Sequence, residues 1–238
     1  MKYRVRHTTA YQYGAAVNQC YNLAYVIPRH TSTQKVIRSD IKVSPTPSML
    51  NKRDDYFGNT VCNFSLEKPH KDLEVTVESF IEKEDTPSLW LDMGVSCQQV
   101  LERLENSSEI NDIAACEFLF QSPMIPHSEE LADFARDLFI ADRPLLAAVK
   151  ELNSRIFEEF HYDPSFSTVA TPLSDVLEHK RGVCQDFAHL AIGALRSVGL
   201  AARYVSGYLE TQPPPGQPRL IGADASHAWL AAWIPDWG

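Results

Sequence analysis

The chain has few of the features that assign a protein to a class at sight. No stretch approaches the ~18 consecutive apolar residues of a membrane-spanning helix, and Met1-Lys2-Tyr3-Arg4-Val5-Arg6-His7 reads as strand rather than as a charged lead into an apolar secretory core. Cysteines number five, at positions 20, 62, 97, 116 and 184, an odd count without a C-x-x-C pair. That pattern fits neither a disulfide framework nor a zinc site, and it points to a reducing, cytoplasmic setting. Basic residues are in deficit: 22 Lys and Arg against 31 Asp and Glu leave a formal net charge of -9. A nucleic-acid binder or an anionic-membrane binder needs clustered cations, so neither class is expected. Phosphate-cradling loops of the G-x-x-x-x-G-K or G-x-G-x-x-G kind are missing, so no nucleotide cofactor is implied. Four of the histidines, His161, His179, His189 and His227, lack the H-E-x-x-H spacing of a metal hydrolase, and no metal is expected.

What is present is an ordinary globular composition, 44% hydrophobic and 22% charged over 238 residues, enough for one or two domains with proper cores. The first part, 1–85, carries strand signals. Tyr3, Val5, His7, Thr9, Tyr11 and Tyr13 alternate with Lys2, Arg4, Arg6 and Thr8, giving a strand with one face in water. Tyr21 to Ile27, Lys35 to Val43 and Leu73 to Ile81 read as further strands. Tyr56-Phe57 and Val61 to Leu66 flank Gly58-Asn59 as the arms of a hairpin. From residue 86 the signals turn helical. Ser96 with Gln99 forms a capping box for a helix to about Asn106, Ser128 caps a second helix, and Asp142 and Pro144 open a third whose stripe is Leu145, Ala148, Val149, Leu152, Ile156 and Phe157. Thr171-Pro172 reads as cap and first residue of a short helix that leads toward Lys180 and Arg181.

Chemistry concentrates in Arg181-Gly182-Val183-Cys184-Gln185-Asp186-Phe187-Ala188-His189-Leu190. Phe187, Leu190, Ala191, Ala194, Leu195 and Val198 recur at helical spacing, and Gly199 ends the run. Cys184 falls in the first turn of that helix, where unpaired N–H groups and the helix dipole favour an anion, here a thiolate. A cysteine so placed is either a nucleophile or a buried structural thiol. Lys180 and Arg181 stand close enough in sequence to favour the anion further. His189, five residues on and about 140° round the helix, is read as a packing histidine rather than a base. Asp186 is read as a ligand for the loop backbone or a basic side chain. Ala201 to Leu209 follows as a strand, then the stiff loop Thr211 to Pro218, then a strand opened by His227. On that strand His227, Trp229, Ala231 and Trp233 share one face and Ala228, Leu230, Ala232 and Ile234 the other.

Three blocks in order, Gly-Val-Cys-Gln-Asp-Phe-Ala-His from 182, Ala202-Arg203-Tyr204-Val205-Ser206-Gly207-Tyr208, and Ser226-His227-Ala228-Trp229, resemble the bacterial transglutaminase-like superfamily of cysteine enzymes with a papain-like fold. The resemblance implies an α+β architecture: a β-sandwich-like N-terminal domain over 1–85, then, over 86–238, a helical segment and a core with its catalytic helix packed on an antiparallel sheet. It implies Cys184 as nucleophile and His227 as acid and base, with a thioester intermediate and no cofactor. Tyr162, Gln185 and Trp229 are the residues expected to line the site or its oxyanion side, beside the Cys184 N–H. The substrate would be a peptide or protein. Water as acceptor makes a cysteine protease or amidase, an amine makes a transglutaminase, and a non-catalytic peptide-binding module on the same fold is the rival from another class. The family orients its histidine with an aspartate on the next strand. Asp224 lacks that position, and Asp236, nine residues past His227, is expected to lie over about 20 Å away along an extended strand. The resemblance therefore implies that the orienting carboxylate lies beyond residue 238, in a chain shortened at its C-terminus and impaired in activity.

Overall fold

A computed structural model describes residues 1–84, 94–168, 170–210 and 226–236. The chain divides into two compact units, Met1–Ser88 and Leu89–Gly238. Among the described residues the first holds six strands: β1 Lys2–Val17, β2 Cys20–Ala24, β3 Gln34–Ser44, β4 Met49–Asp54, β5 Thr60–Leu66 and β6 His70–Lys83. They form two antiparallel sheets, ordered β1-β6-β3 and β2-β5-β4. Phe64 and Leu66 from one sheet meet Leu73 and Val75 from the other in a single buried cluster, so the sheets pack as a sandwich. The alternation along β1 is realised over Lys2 to Thr9: Tyr3, Val5, His7 and Thr9 are half-buried while Lys2, Arg4, Arg6 and Thr8 are exposed. On that outer face the acids of β6 sit between two basic strands, with Lys2 and Lys35 both opposite Glu82, and Arg4 bonded to Glu78 at 2.6 Å.

Two strand expectations need correction. The hairpin arms are β4 and β5, not Tyr56-Phe57 and β5. Asp55 accepts hydrogen bonds from the Phe57 and Asn59 N–H groups at 2.9 and 2.8 Å, which draws Tyr56 and Phe57 into the turn. Gly58 supplies the positive φ there, +75°. β4 lacks alternating apolar residues and is a strand because its backbone completes the β5 ladder. β2 stops at Ala24, short of Ile27, where its pairing with Cys62 ends.

The second unit contains α1 Cys97–Asn106, α2 Ile110–Cys116, a single 3₁₀ turn Glu117–Leu119, α3 Glu129–Ala135, α4 Leu145–Glu159, β7 His161–Tyr162, α5 Leu173–His179, β8 Arg181–Gly182, α6 Cys184–Ser197, β9 Ala202–Gly207 and β10 His227–Ala232. Ser96 makes the full capping box with Gln99, and Ser128 caps α3 through the Leu131 N–H. Pro144 and Pro172 stand just outside their helices instead of at the first helical position, each with an extended ψ. For Pro144 the reason is visible. The Cys97 N–H donates to the Arg143 carbonyl and the Leu145 N–H to the Val95 carbonyl, at 2.9 and 3.0 Å, a short bridge that holds the backbone straight between α1 and α4. α2 and the 3₁₀ turn carry no periodic signal long enough to announce them.

At the centre of this unit, α6 is more completely buried than a one-sided helix. Of the predicted face, Leu190, Ala191, Ala194 and Leu195 are buried and Phe187 and Val198 half-buried, and Ala188, Ile192 and Gly193 are buried too, because α3, α4 and α5 cover it on one side and β9 and β10 on the other. At Gly193 an added Cβ would sit 2.9 Å from Leu131, so glycine is what lets α3 approach. The mixed α and β fold, with its antiparallel sandwich and a helix on an antiparallel pair, is the architecture anticipated above.

Candidate active site

The entry to α6 is built from four constraints. Lys180 ends α5 in the left-handed region at φ +53°. β8 then lies parallel to β7, with the Asp163 N–H donating to the Gly182 carbonyl at 2.9 Å and the His161 N–H to the Lys180 carbonyl at 2.8 Å. Asp186, 4% exposed, reaches back from the first turn of α6 to accept from the Val183 N–H at 2.8 Å and from the Ser167 hydroxyl. Gly182 gives it room, since a Cβ there would be 2.9 Å from both Cβ and Oδ2 of Asp186. Cys184 is thereby the first residue of a helix whose start cannot drift, and its side chain is half-buried.

The flanking cations are engaged elsewhere. Lys180 packs over the rings of Phe134 and Phe160 at 4.7 and 4.5 Å and pairs with Glu159 at 3.1 Å. Arg181 lies 3.6 Å from Asp163. Both charges are met by carboxylates, which leaves the helix start as the electrostatic feature at Cys184.

β9 presents a residue that the sequence reading passed over, Tyr204. Its ring lies 5.1 Å from that of His189, and burial, then its neighbours Cys184 and Asp186, push its phenol above the usual range. Burial pushes the pKa of His189 itself down, against the opposing pull of Asp186.

His227 opens β10, half-buried, opposite Gly207 of β9. The register places His227, Trp229 and Ala231 on one phase of the pleat with Gly207, Val205 and Arg203. Ala228, Leu230 and Ala232 share the other with Ser206, Tyr204 and Ala202. Trp229 is 39% exposed and its ring crosses Gly207, where a Cβ would be 2.6 Å away. α6 rests on both strands, so the helix that begins with Cys184 and the strand that begins with His227 are in contact. Tyr162 is exposed and pairs with Gly182, two residues ahead of Cys184, and Gln185 is half-buried as the second residue of α6. Asp236 turns at φ +67° to bond Arg103 at 3.0 and 3.1 Å, and its carboxylate is thereby committed away from the histidine strand. Asp224 and the loop Thr211 to Pro218 lie outside the described residues.

Residues 132–238 match the family described as the transglutaminase-like superfamily, and residues 3–82 match the bacterial transglutaminase-like N-terminal region. An uncharacterized protein of Mycobacterium tuberculosis is 35% identical over 98% of this chain and 74% of its own length. The chain belongs to the transglutaminase-like superfamily. A second member, from Mycobacterium leprae and also uncharacterized, is 31% identical over 98% of the chain and 80% of its own length. A crystal structure from Cytophaga hutchinsonii, described as a candidate cysteine protease, shares the fold at a TM-score of 0.74 and 19% identity, over 99% of this chain and 73% of that one. Among the described residues no helix is long and apolar enough to cross a membrane.

Proposed function

We propose that this member of the superfamily is a thiol-dependent amide or peptide hydrolase, a cysteine protease in reaction class. The observation that carries the reading is Cys184 as first residue of a helix whose entry is locked by Asp186 and Gly182 and which rests on the strand opened by His227. In this mechanism His227 takes the thiol proton as Sγ of Cys184 attacks the carbonyl carbon. The oxyanion forms against the Cys184 N–H, and the tetrahedral adduct collapses to a thioester as His227 protonates the departing amine. Water then cleaves the thioester. Tyr162, Gln185 and Trp229 border the acyl group, and Tyr204 adds a hydroxyl donor on the β9 side. Five free cysteines support a reducing compartment as the working environment, in line with a cytoplasmic protein.

The test is acylation rather than turnover alone. With an activated amide or ester of a short peptide, the chain should form a thioester at Cys184, detected as an intact-mass increment that Cys184→Ala abolishes. His227→Gln should slow its formation by about 10²-fold or more, the usual worth of a general base. Adding a primary amine separates the two acceptors: release of free acid supports hydrolysis, and amide formation with the amine would reassign the chain as a transglutaminase. No adduct at Cys184 would leave a peptide-binding module on an enzyme fold.

A further inference from the structure

A second cysteine and histidine meet in the first unit, independently of the site just described. Cys20 opens β2 and His70 opens β6, and the Cys20 Sγ lies 3.6 Å from His70 Nε2. The other ring nitrogen, Nδ1, is 2.8 Å from the Lys68 carbonyl. A carbonyl oxygen only accepts, so Nδ1 carries the hydrogen and Nε2 presents its lone pair to the thiol. His70 is 6% exposed and its ring packs edge-to-face with that of Tyr13, 5.8 Å between ring centres. The Asn22 amide donates to the sulfur at 3.3 Å. A thiol, a base in a defined tautomer and a donor aimed at the sulfur are the parts that a reactive thiolate requires.

The remaining cysteines outside the candidate active site have no such surroundings. Cys62 and Cys97 are fully buried and their thiols are pushed up by that burial, while Cys116 donates to the Leu104 carbonyl. Cys20 is half-buried at the margin of the Phe64 and Leu73 cluster, whereas Cys62 and Cys97 are fully buried. In the β2–β5 ladder it stands opposite Leu66, and Cys62 stands opposite Ala24, so neither cysteine faces the other across the rungs.

We infer that Cys20 is a second reactive thiol, a site of oxidation by peroxides in which His70 acts as base and Asn22 stabilises the negative sulfur. With hydrogen peroxide as co-reactant, the sulfur attacks one oxygen, the S–O bond forms as the O–O bond breaks, and sulfur is oxidised by two electrons. The departing hydroxide takes the thiol proton that His70 had accepted. The products are a sulfenic acid at Cys20 and water.

The experiment uses the full chain carrying Cys184→Ser, so that the candidate nucleophile does not contribute. After brief exposure to hydrogen peroxide, dimedone traps sulfenic acid and peptide mass spectrometry reads each cysteine. Cys20 should be labelled about ten-fold or more above Cys62, Cys97 and Cys116, and His70→Asn should bring it down to their level. Labelling equal across the four cysteines, or labelling of Cys20 that His70→Asn leaves unchanged, would overturn the assignment. Should His70→Asn fail to fold, the rate of Cys20 with iodoacetamide at neutral pH, set against N-acetylcysteine, decides. It should exceed the free thiol about ten-fold, and parity would sink the proposal.

Discussion

Gly182 shows how little tolerance the start of α6 leaves at the level of one residue. It has no room for a side chain because Asp186 folds back over it to hold the Val183 N–H, and that bond sets where α6 begins. Gly182→Ala should therefore cost about 1–3 kcal/mol through overpacking, read as a lower urea midpoint. It should also slow alkylation of Cys184, because the displaced Asp186 no longer fixes the helix start. Normal alkylation in a folded variant would show that the thiol does not depend on this lock. At this scale the sequence was legible wherever a residue's role is local. The capping pair Ser96 and Gln99, the Ser128 cap and the positive φ of Gly58 all follow from neighbours within a few positions. Tyr204 was not legible in this way. Its place beside His189 depends on which face of β9 meets α6, and no residue near it in sequence determines that.

At the scale of the element, α6 is defined more sharply at its end than a hydrophobic pattern alone would require. The Leu200 N–H donates to the Leu195 carbonyl at 2.9 Å and the Gly199 N–H to the Arg196 carbonyl at 3.0 Å, with Gly199 at φ +84° and both leucines buried. This is the paired-bond glycine stop with its hydrophobic contact. It also aims the chain straight into β9, whose partner strand begins with His227. Gly199→Ala should destabilise the chain by about 1 kcal/mol or more, from backbone strain alone, and its Cβ would in addition press on Leu101 at 3.0 Å. Urea unfolding monitored by helix signal measures it, and an unchanged midpoint would mean that the stop is not under strain. Other element boundaries were not legible. β4, α2 and the outward shift of Pro144 owe their form to backbone pairing with distant segments, and side-chain periodicity carries no trace of such pairing.

For the second unit as a whole, Arg103 ties chain segments far apart in sequence. From α1 it donates to Asp112 of α2 at 2.7 Å and, through its other nitrogens, to Asp236 just past β10. The Arg103 hydrogen bond is the main cause that holds the Asp112 carboxyl below its ordinary value of 3.8, with the Ser107 hydroxyl adding to it. A depressed acid of this kind stays ionised in the folded chain to lower pH than in the unfolded chain. Its stabilisation is thus complete above the unfolded value and disappears as pH falls through the folded one. Asp112→Asn should be less stable than the parent at neutral pH, with the gap closing as pH falls below the ordinary value of 3.8. A gap that is constant with pH would mean that Arg103 and Asp112 contribute through packing and not through charge.

By itself the sequence determined the class of the molecule: a strand-rich first part, a helical second part, a thiol at the start of a helix and a histidine at the start of a strand. Those are local properties, written in periodicity, caps and turn residues, and the family blocks sit on them. Only the tertiary structure decided what each charged or reactive group is paired with. It gave Lys180 and Arg181 to carboxylates, Asp236 to Arg103, Asp186 to the backbone ahead of the thiol, and His70 to Cys20. Hydrogen bonds and ion pairs form between groups that the fold brings within a few ångströms, and separation along the chain carries no information about that distance.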